Sequence, residues 1–265
     1  MSAQIELIGI EQVFGSRRGA AQTHALDGVT LSIESGDFVA LLGPSGCGKS
    51  TLLNIVAGFL RPTRGQVMHD GVEIRGPDRR RTVVFQDYAL FPWMTLQKNV
   101  EFGLKARGIA LRERAQKARE FLATVQLGGF EARYPHEVSG GMKQRAAIAR
   151  ALAPDPSVLL MDEPFGALDA QTRVLLQEEV ARVTAGTGKT AIFVTHSIEE
   201  AVFLGDRVIV MSARPGRVRA EIRVPLARPR TPEMRRDSTF VSLTQDLWDA
   251  LKPEWQKGSA EDEVE

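Results

Sequence analysis

The sequence predicts an α/β fold with a mostly parallel sheet core and a helical segment inserted into it. Phe38-Val39-Ala40-Leu41-Leu42 is a continuous apolar run, which suits a strand buried on both faces. Val158 to Met161 and Ala191 to Thr195 repeat that pattern, with a helical stretch from about Ala170 to Thr184 between them. Strands alternating with helices imply a largely parallel sheet covered on both faces. From about Tyr88 to Ala153 the pattern is helical, with a charged helix near Arg112 to Thr124, and this reads as an inserted lobe.

The chain opens with strands and turns. Ile5, Leu7 and Ile10 alternate loosely, Gly15 to Thr23 is a polar loop, and Leu26 to Ile33 alternates apolar and polar residues as a half-buried strand does. The Phe38 run leads directly into Gly43 to Thr51, after which Leu52, Leu53, Ile55 and Val56 continue with helical character. Gln66 to Ile74 reads as a hairpin around Asp70-Gly71. Thr82 to Gln86 is a short strand, and Val208 to Ser212 another. From Pro225 the chain is rich in Pro and Arg. An amphipathic helix then carries Phe240, Leu243, Leu247, Trp248 and Leu251 at helical spacing, and Glu261 to Glu265 are expected to be disordered.

Composition excludes several classes. The 265 residues are 43% hydrophobic and 25% charged with a net charge of +1, so no global basic surface calls for nucleic acid. A single cysteine, Cys47, rules out an internal disulfide framework. Met1 to Glu11 lack a basic stretch followed by an apolar core, and no window approaches the roughly 20 apolar residues of a membrane span. A membrane role is therefore expected to come through a partner.

Gly43-Pro44-Ser45-Gly46-Cys47-Gly48-Lys49-Ser50 matches the phosphate-loop pattern G-x-x-x-x-G-K-[ST], between a buried strand and a helix. Glycines let successive backbone N–H groups converge on phosphate oxygens, and the helix N-terminus adds its dipole and donors, Thr51 included. Lys49 supplies a cation for the β- and γ-phosphates and Ser50 a hydroxyl ligand for Mg²⁺. The bland alternative is a glycine-rich turn with an incidental lysine. Cys47 reads as a small residue that fits the loop, with a redox-sensitive thiol as the other reading.

Val158-Leu159-Leu160-Met161-Asp162-Glu163 is an apolar strand ending in two acids, and strand ends are where α/β sheets bind ligands. Asp162 is placed to hold Mg²⁺ and Glu163 to polarise a water for attack on the γ-phosphate. Without the phosphate loop these acids could equally be helix caps. His196, after the strand Ala191 to Thr195, is a candidate contact to γ-phosphate and the attacking water. Gln86, ending its own strand, could reach Mg²⁺ or water through its amide.

Val138-Ser139-Gly140-Gly141-Met142-Lys143-Gln144-Arg145 resembles the signature of ATP-binding-cassette (ABC) ATPases. It lies between Gln86 and Asp162, and Ala167-Leu168-Asp169 looks like the D-loop that follows. Phosphate loop, Q-loop, signature, Walker-B strand, D-loop and switch histidine thus occur in family order over roughly residues 4 to 225. The resemblance implies a P-loop NTPase ABC cassette with an N-terminal antiparallel β-subdomain. It implies an ATPase domain over 4–237 with a helical subdomain at about 88–155, then a C-terminal helix and tail over 238–265. It further implies ATP and Mg²⁺ as cofactors. It also implies a homodimer in which Ser139, Gly140 and Gly141 of one subunit close on nucleotide held by Lys49, Ser50, Gln86, Asp162, Glu163 and His196 of the other. Met142 departs from the usual glutamine. Phe14 best matches the adenine-stacking aromatic, with a core role as the alternative.

Within the family, Phe85 to Trp93, Gly103-Leu104 and Arg228-Pro229-Arg230 are similar to the nitrate/sulfonate/taurine importer ATPases. That implies transmembrane permease subunits and a periplasmic or lipoprotein solute-binding protein as partners, no nucleic acid, and a peripheral place on the cytoplasmic face of the inner (plasma) membrane. Asp87 to Trp93 would face the permease, internal packing of Phe91 and Trp93 being the alternative. The C-terminal helix is expected to pack on its own domain, and Arg79-Arg80-Arg81 to be a solvated face. Rival readings are an exporter or lipid-trafficking ATPase and a soluble ABC ATPase. Solute identity is set by other subunits.

Overall fold

All five residues of Phe38–Leu42 are buried, as a strand covered on both faces requires. The computed structural model describes residues 4–15, 22–166, 168–185 and 188–262. The first elements are β1 (Ile5–Phe14), β2 (Thr23–Ile33), β3 (Phe38–Leu42), α1 (Lys49–Ala57), β4 (Arg64–His69) and β5 (Val72–Glu73). Then come β6 (Arg81–Val84), α2 (Leu96–Ala106), α3 (Leu111–Thr124), α4 (Gly140–Leu152), β7 (Val158–Asp162) and α5 (Ala170–Ala185). The chain closes with β8 (Thr190–Thr195), α6 (Ile198–Leu204), β9 (Arg207–Met211), β10 (Val218–Arg223) and α7 (Ser238–Asp262).

The chain divides into two compact units, Met1–Pro77 with Thr190–Glu265, and Asp78–Lys189. The first holds an antiparallel sheet in the order β2-β1-β4-β5, in which Val29, Leu31 and Ile33 point inward and Thr30 and Ser32 outward. The Asp70-Gly71 turn has both residues at positive φ, 50° and 74°, as a two-residue hairpin needs. Beside it, β3 pairs in parallel with β8 and with β9, and β10 adds an antiparallel edge to β9. Helix α7 packs on α6 and β9, with Phe240, Leu243, Leu247 and Leu251 buried. Trp248, assigned to the same apolar face from spacing, is instead 46% exposed. Helix α7 continues through Glu261 and Asp262, which the sequence reading took as disordered. Residues 263–265, most of the Gly15 to Thr23 loop (residues 16–21) and Ala167 lie outside the described residues.

In the second unit β6 and β7 pair in parallel. Helices α2, α3 and α4 share a core of Leu96, Val100, Leu104, Leu122, Leu127, Ala146 and Ala149, each side chain of Leu size contributing about 1.5–3 kcal/mol by its burial. Met142 packs against that core, which gives the departure from glutamine an apolar role. The Arg79-Arg80-Arg81 face is only partly solvated. Arg81 is 8% exposed because it begins β6 opposite Val158, and burial lowers its pKa.

Candidate active site

In the first unit, Gly43 to Gly48 leaves β3 and turns into α1. Gly48 sits at φ 97° as the N-cap residue with no side-chain cap, and the first turn of α1 carries no acid. The helix N-terminus therefore keeps its positive dipole end unneutralised by a carboxylate, as an anion site needs. A Cβ at Gly48 would lie 2.7 Å from Leu26 Cδ2 and 2.8 Å from Ala25 O, so packing as well as backbone conformation demands glycine. The Lys49 ammonium curls over the loop, donating to Gly43 O and Pro44 O at 2.8 Å each, and lies 3.7 Å from Cys47 Sγ. Burial raises the Cys47 thiol pKa against the opposing pull of Lys49, which favours the small-residue reading over a reactive thiol. Arg214 adds a donor to Gly46 O at 3.4 Å.

Ser45, Gly46 and Ser50 are exposed on the loop and Thr51 is half-buried. His196 is exposed directly after β8, and α6 behind it is capped by Ser197 and braced by Thr195 Oγ1 donating to Glu200 Oε2 at 2.6 Å. Phe14 ends β1 with 42% exposure, so its ring is not a core residue and keeps a face for stacking.

In the second unit, Asp162 ends β7 and Glu163 follows at φ 40°, a left-handed conformation that costs a non-glycine residue about 1–2 kcal/mol. Tyr88 N donates to Phe85 O at 3.2 Å, closing a turn with Gln86 and Asp87 at its corner. A Cβ at Gly166 would lie 3.6 Å from Gln86 Nε2 and 3.8 Å from Glu163 Oε2, so amide and carboxylate flank one small space. Asp169 caps the start of α5 by accepting from Thr172 N at 3.0 Å, which with the Thr172 side chain lowers its pKa.

Ser139 is the N-cap of α4, accepting from Met142 N at 3.3 Å. The helix cap anticipated as the bland reading is thus present, and more is built around it. A Cβ on Gly141 would lie 2.5 Å from Thr172 Cγ2, and one on Gly140 3.2 Å from the Tyr88 hydroxyl. The first turn of α4 carries no acid, so its positive dipole end is not neutralised by a carboxylate. Among the described residues no group of three or more His, Cys, Asp or Glu could hold a metal. The Ser50 hydroxyl in the first unit and the Gln86 amide and Asp162 carboxylate in the second are each oxygen donors of the kind Mg²⁺ takes.

Sequence reasoning missed Asn99 and Arg150. Asn99 is fully buried on α2, exchanging hydrogen bonds with Phe91 and donating to Met94 O and Thr95 O at 3.1 Å. The signal for it was a lone polar residue on the Leu96, Val100, Leu104 face. Beside it an apolar groove of about 450 Å³ is lined by Phe85, Ala89, Phe91, Phe102, Gly103 and Arg150, among others. The Phe91 ring meets those of Phe102 and Trp93 in tilted contacts with centroids 4.7 Å and 5.6 Å away, while Trp93 stays 69% exposed. The aromatic segment is thus both internally packed and presented.

A glycine loop of this form, between a buried strand and a helix start free of acids, is that of a P-loop nucleotide-binding protein. Compared with known proteins, residues 26–166 match the ABC transporter family. An uncharacterised ABC transporter ATP-binding protein of Methanocaldococcus jannaschii is 50% identical over 230 residues, 87% of this chain and 85% of that one. A taurine import ATP-binding protein, TauB, of Burkholderia pseudomallei is 50% identical over 219 residues, covering 83% and 84%. A nitrate import ATP-binding protein, NrtD, of Synechocystis is 43% identical over 254 residues, covering 94% and 95%. The dimeric structure of the ATP-binding cassette MJ0796 with ADP and Pi superposes with a TM-score of 0.74 at 34% identity, over 84% of this chain and all of that one. The chain belongs to the ABC transporter family, and it is an ATPase with the ABC cassette fold. No described helix is long and apolar enough to cross a membrane.

Proposed function

We propose that this ATPase powers uptake of a small anionic solute, such as taurine, a sulfonate or nitrate, as a homodimer docked on permease subunits at the cytoplasmic face of the inner membrane. A periplasmic or lipoprotein binding protein delivers the solute. The observation that carries the reading is the apolar groove, whose Phe91 also contacts the exposed Trp93, a surface of the size and character that receives a helix of a membrane partner. Relatives named for taurine and nitrate import support the solute class.

In this reading Phe14 stacks on adenine while the phosphate loop and Lys49 hold the phosphates. Ser50, Gln86 and Asp162 would hold Mg²⁺, which would supply neutralisation of charge on the phosphates. Glu163 accepts a proton from the attacking water, and His196 orients that water against the γ-phosphate. Ser139 to Gly141 of the second subunit complete the anion site, so that ATP joins two copies and hydrolysis releases them.

The test is ATP-driven accumulation of labelled taurine, alkanesulfonate and nitrate in vesicles bearing the complex purified with its co-encoded permease. Uptake of one of them, lost in Glu163→Gln, supports the proposal; outward movement, or none with all three, overturns it. Phe102→Asp in the groove should abolish co-purification of the permease while isolated subunits still hydrolyse ATP.

A further inference from the structure

The turn after Gln86 is tied to α4 by one side chain. Tyr88 and Ala89 both adopt left-handed backbone, with φ of 59° and 48°, a conformation that residues bearing a Cβ avoid. Their carbonyls converge on Arg150, on the last turn of α4. Its Nη1 donates to Ala89 O at 2.5 Å and its Nη2 to Tyr88 O at 3.1 Å. The same guanidinium lies 5.9 Å from the Phe91 ring and forms part of the groove wall. Tyr88 meets α4 a second time at its other end, where its hydroxyl stands 3.2 Å from the Cβ position of Gly140. Upstream, the Tyr88 to Phe85 hydrogen bond fixes the corner that presents Gln86.

Two adjacent strained residues need something to hold them, and a planar fork donating to both carbonyls does so with a geometry that an ammonium cannot copy. The guanidinium is half-buried, and desolvation lowers its pKa. We propose that Arg150 is a positioning residue for ATP hydrolysis. It holds the Tyr88-Ala89 turn in its strained form, so that Gln86 and the Ser139-Gly140-Gly141 helix start keep one fixed relation. This rests on the reading of Gln86 and the helix start as nucleotide-contacting groups.

The experiment is steady-state ATP hydrolysis by the full chain against MgATP concentration, with nucleotide affinity from a fluorescent ATP analogue and Tm measured in parallel. Arg150→Lys and Arg150→Met should each lower kcat about tenfold or more, with affinity within about threefold of the parent. Adding Ala89→Gly to Arg150→Lys should recover at least about threefold in kcat, because glycine adopts the left-handed turn without help. A role confined to stability would lower Tm and give no such recovery. Unchanged kcat in both single variants, or a joint loss of kcat, affinity and Tm that Ala89→Gly leaves uncorrected, overturns the proposal. Glu163→Gln run alongside separates the two levels: full turnover there refutes the site assignment, while the Arg150 series still reads the turn.

Discussion

Gln86 Nε2 and Glu163 Oε2 lie 3.6 Å and 3.8 Å from a single point, the place where Gly166 would carry a Cβ. Both distances are ordinary van der Waals contacts and Gly166 is exposed, so Gly166→Ala should fold with stability within about 0.5 kcal/mol of the parent. Gly166→Leu should fill the space between amide and carboxylate and lower kcat with little change in KM. Glu163→Gln removes the proposed base while keeping the shape. It should lower kcat about 10²- to 10⁴-fold and leave ATP binding intact. Steady-state kinetics with size-exclusion chromatography in MgATP reads both effects, and an ATP-dependent dimer of Glu163→Gln is the expected trapped state.

The phosphate loop separates fold from binding in two neighbouring residues. Gly48→Ala sets a Cβ against Leu26 and Ala25 O at a φ of 97°, and should cost about 2–4 kcal/mol in a denaturant titration. Lys49→Ala removes the cation together with its hydrogen bonds to Gly43 O and Pro44 O, but demands no new backbone conformation of the loop. It should weaken ATP binding by about 1.5–3 kcal/mol, roughly 10- to 150-fold in Kd, with a smaller effect on Tm.

A pH dependence follows from Glu179 on α5. Burial holds its carboxyl above the usual carboxylate range, against Arg145 at 3.5 Å and Arg182 at 3.7 Å, which pull the other way. An acid with a raised folded pKa binds its proton more tightly folded than unfolded. Its contribution is therefore full below its ordinary value and declines as pH rises through the raised one. Urea midpoints measured upward from pH 4.5 should show Glu179→Gln gaining on the parent as pH rises. A constant difference between the two would refute the raised pKa.

How much was legible in the sequence follows from what each element buries. The runs in β3, β7 and β8 were readable because burial on both faces leaves no alternation, and the glycines of the phosphate loop because few other folds need them there. Strand β10 was not, since an edge strand that alternates half-buried and exposed residues, Val218 to Arg223, looks like a polar tail. Helix α6 is seven residues long, too short for a period to emerge. Arg150 and Arg230 carry the larger lesson. Sequence supplies a charge and a presumption of solvent, whereas the carbonyls that let a guanidinium enter the interior are visible only in three dimensions.

Arg230 gives the sharpest case. Its side chain is fully buried, donating to Val202 O at 2.9 Å and Gly205 O at 3.3 Å, with Asp206 at 3.3 Å. Arg228 donates beside it to Leu204 O at 2.5 Å, so the Arg228-Pro229-Arg230 segment satisfies the orphan carbonyls where α6 ends. Burial lowers the Arg230 pKa to about 10, which leaves it charged at neutral pH. Arg230→Met keeps most of the volume but strands those carbonyls in a closed interior, a loss expected to cost about 2–4 kcal/mol. Because α6 starts two residues after His196, the damage should reach turnover as well. Hydrolysis should fall further than the loss of folded protein accounts for, while ATP affinity stays near that of the parent. Denaturant titration and kcat measured on the same preparations separate these contributions, and a variant as stable as the parent would show that the buried guanidinium is not what fastens the C-terminal segment to α6.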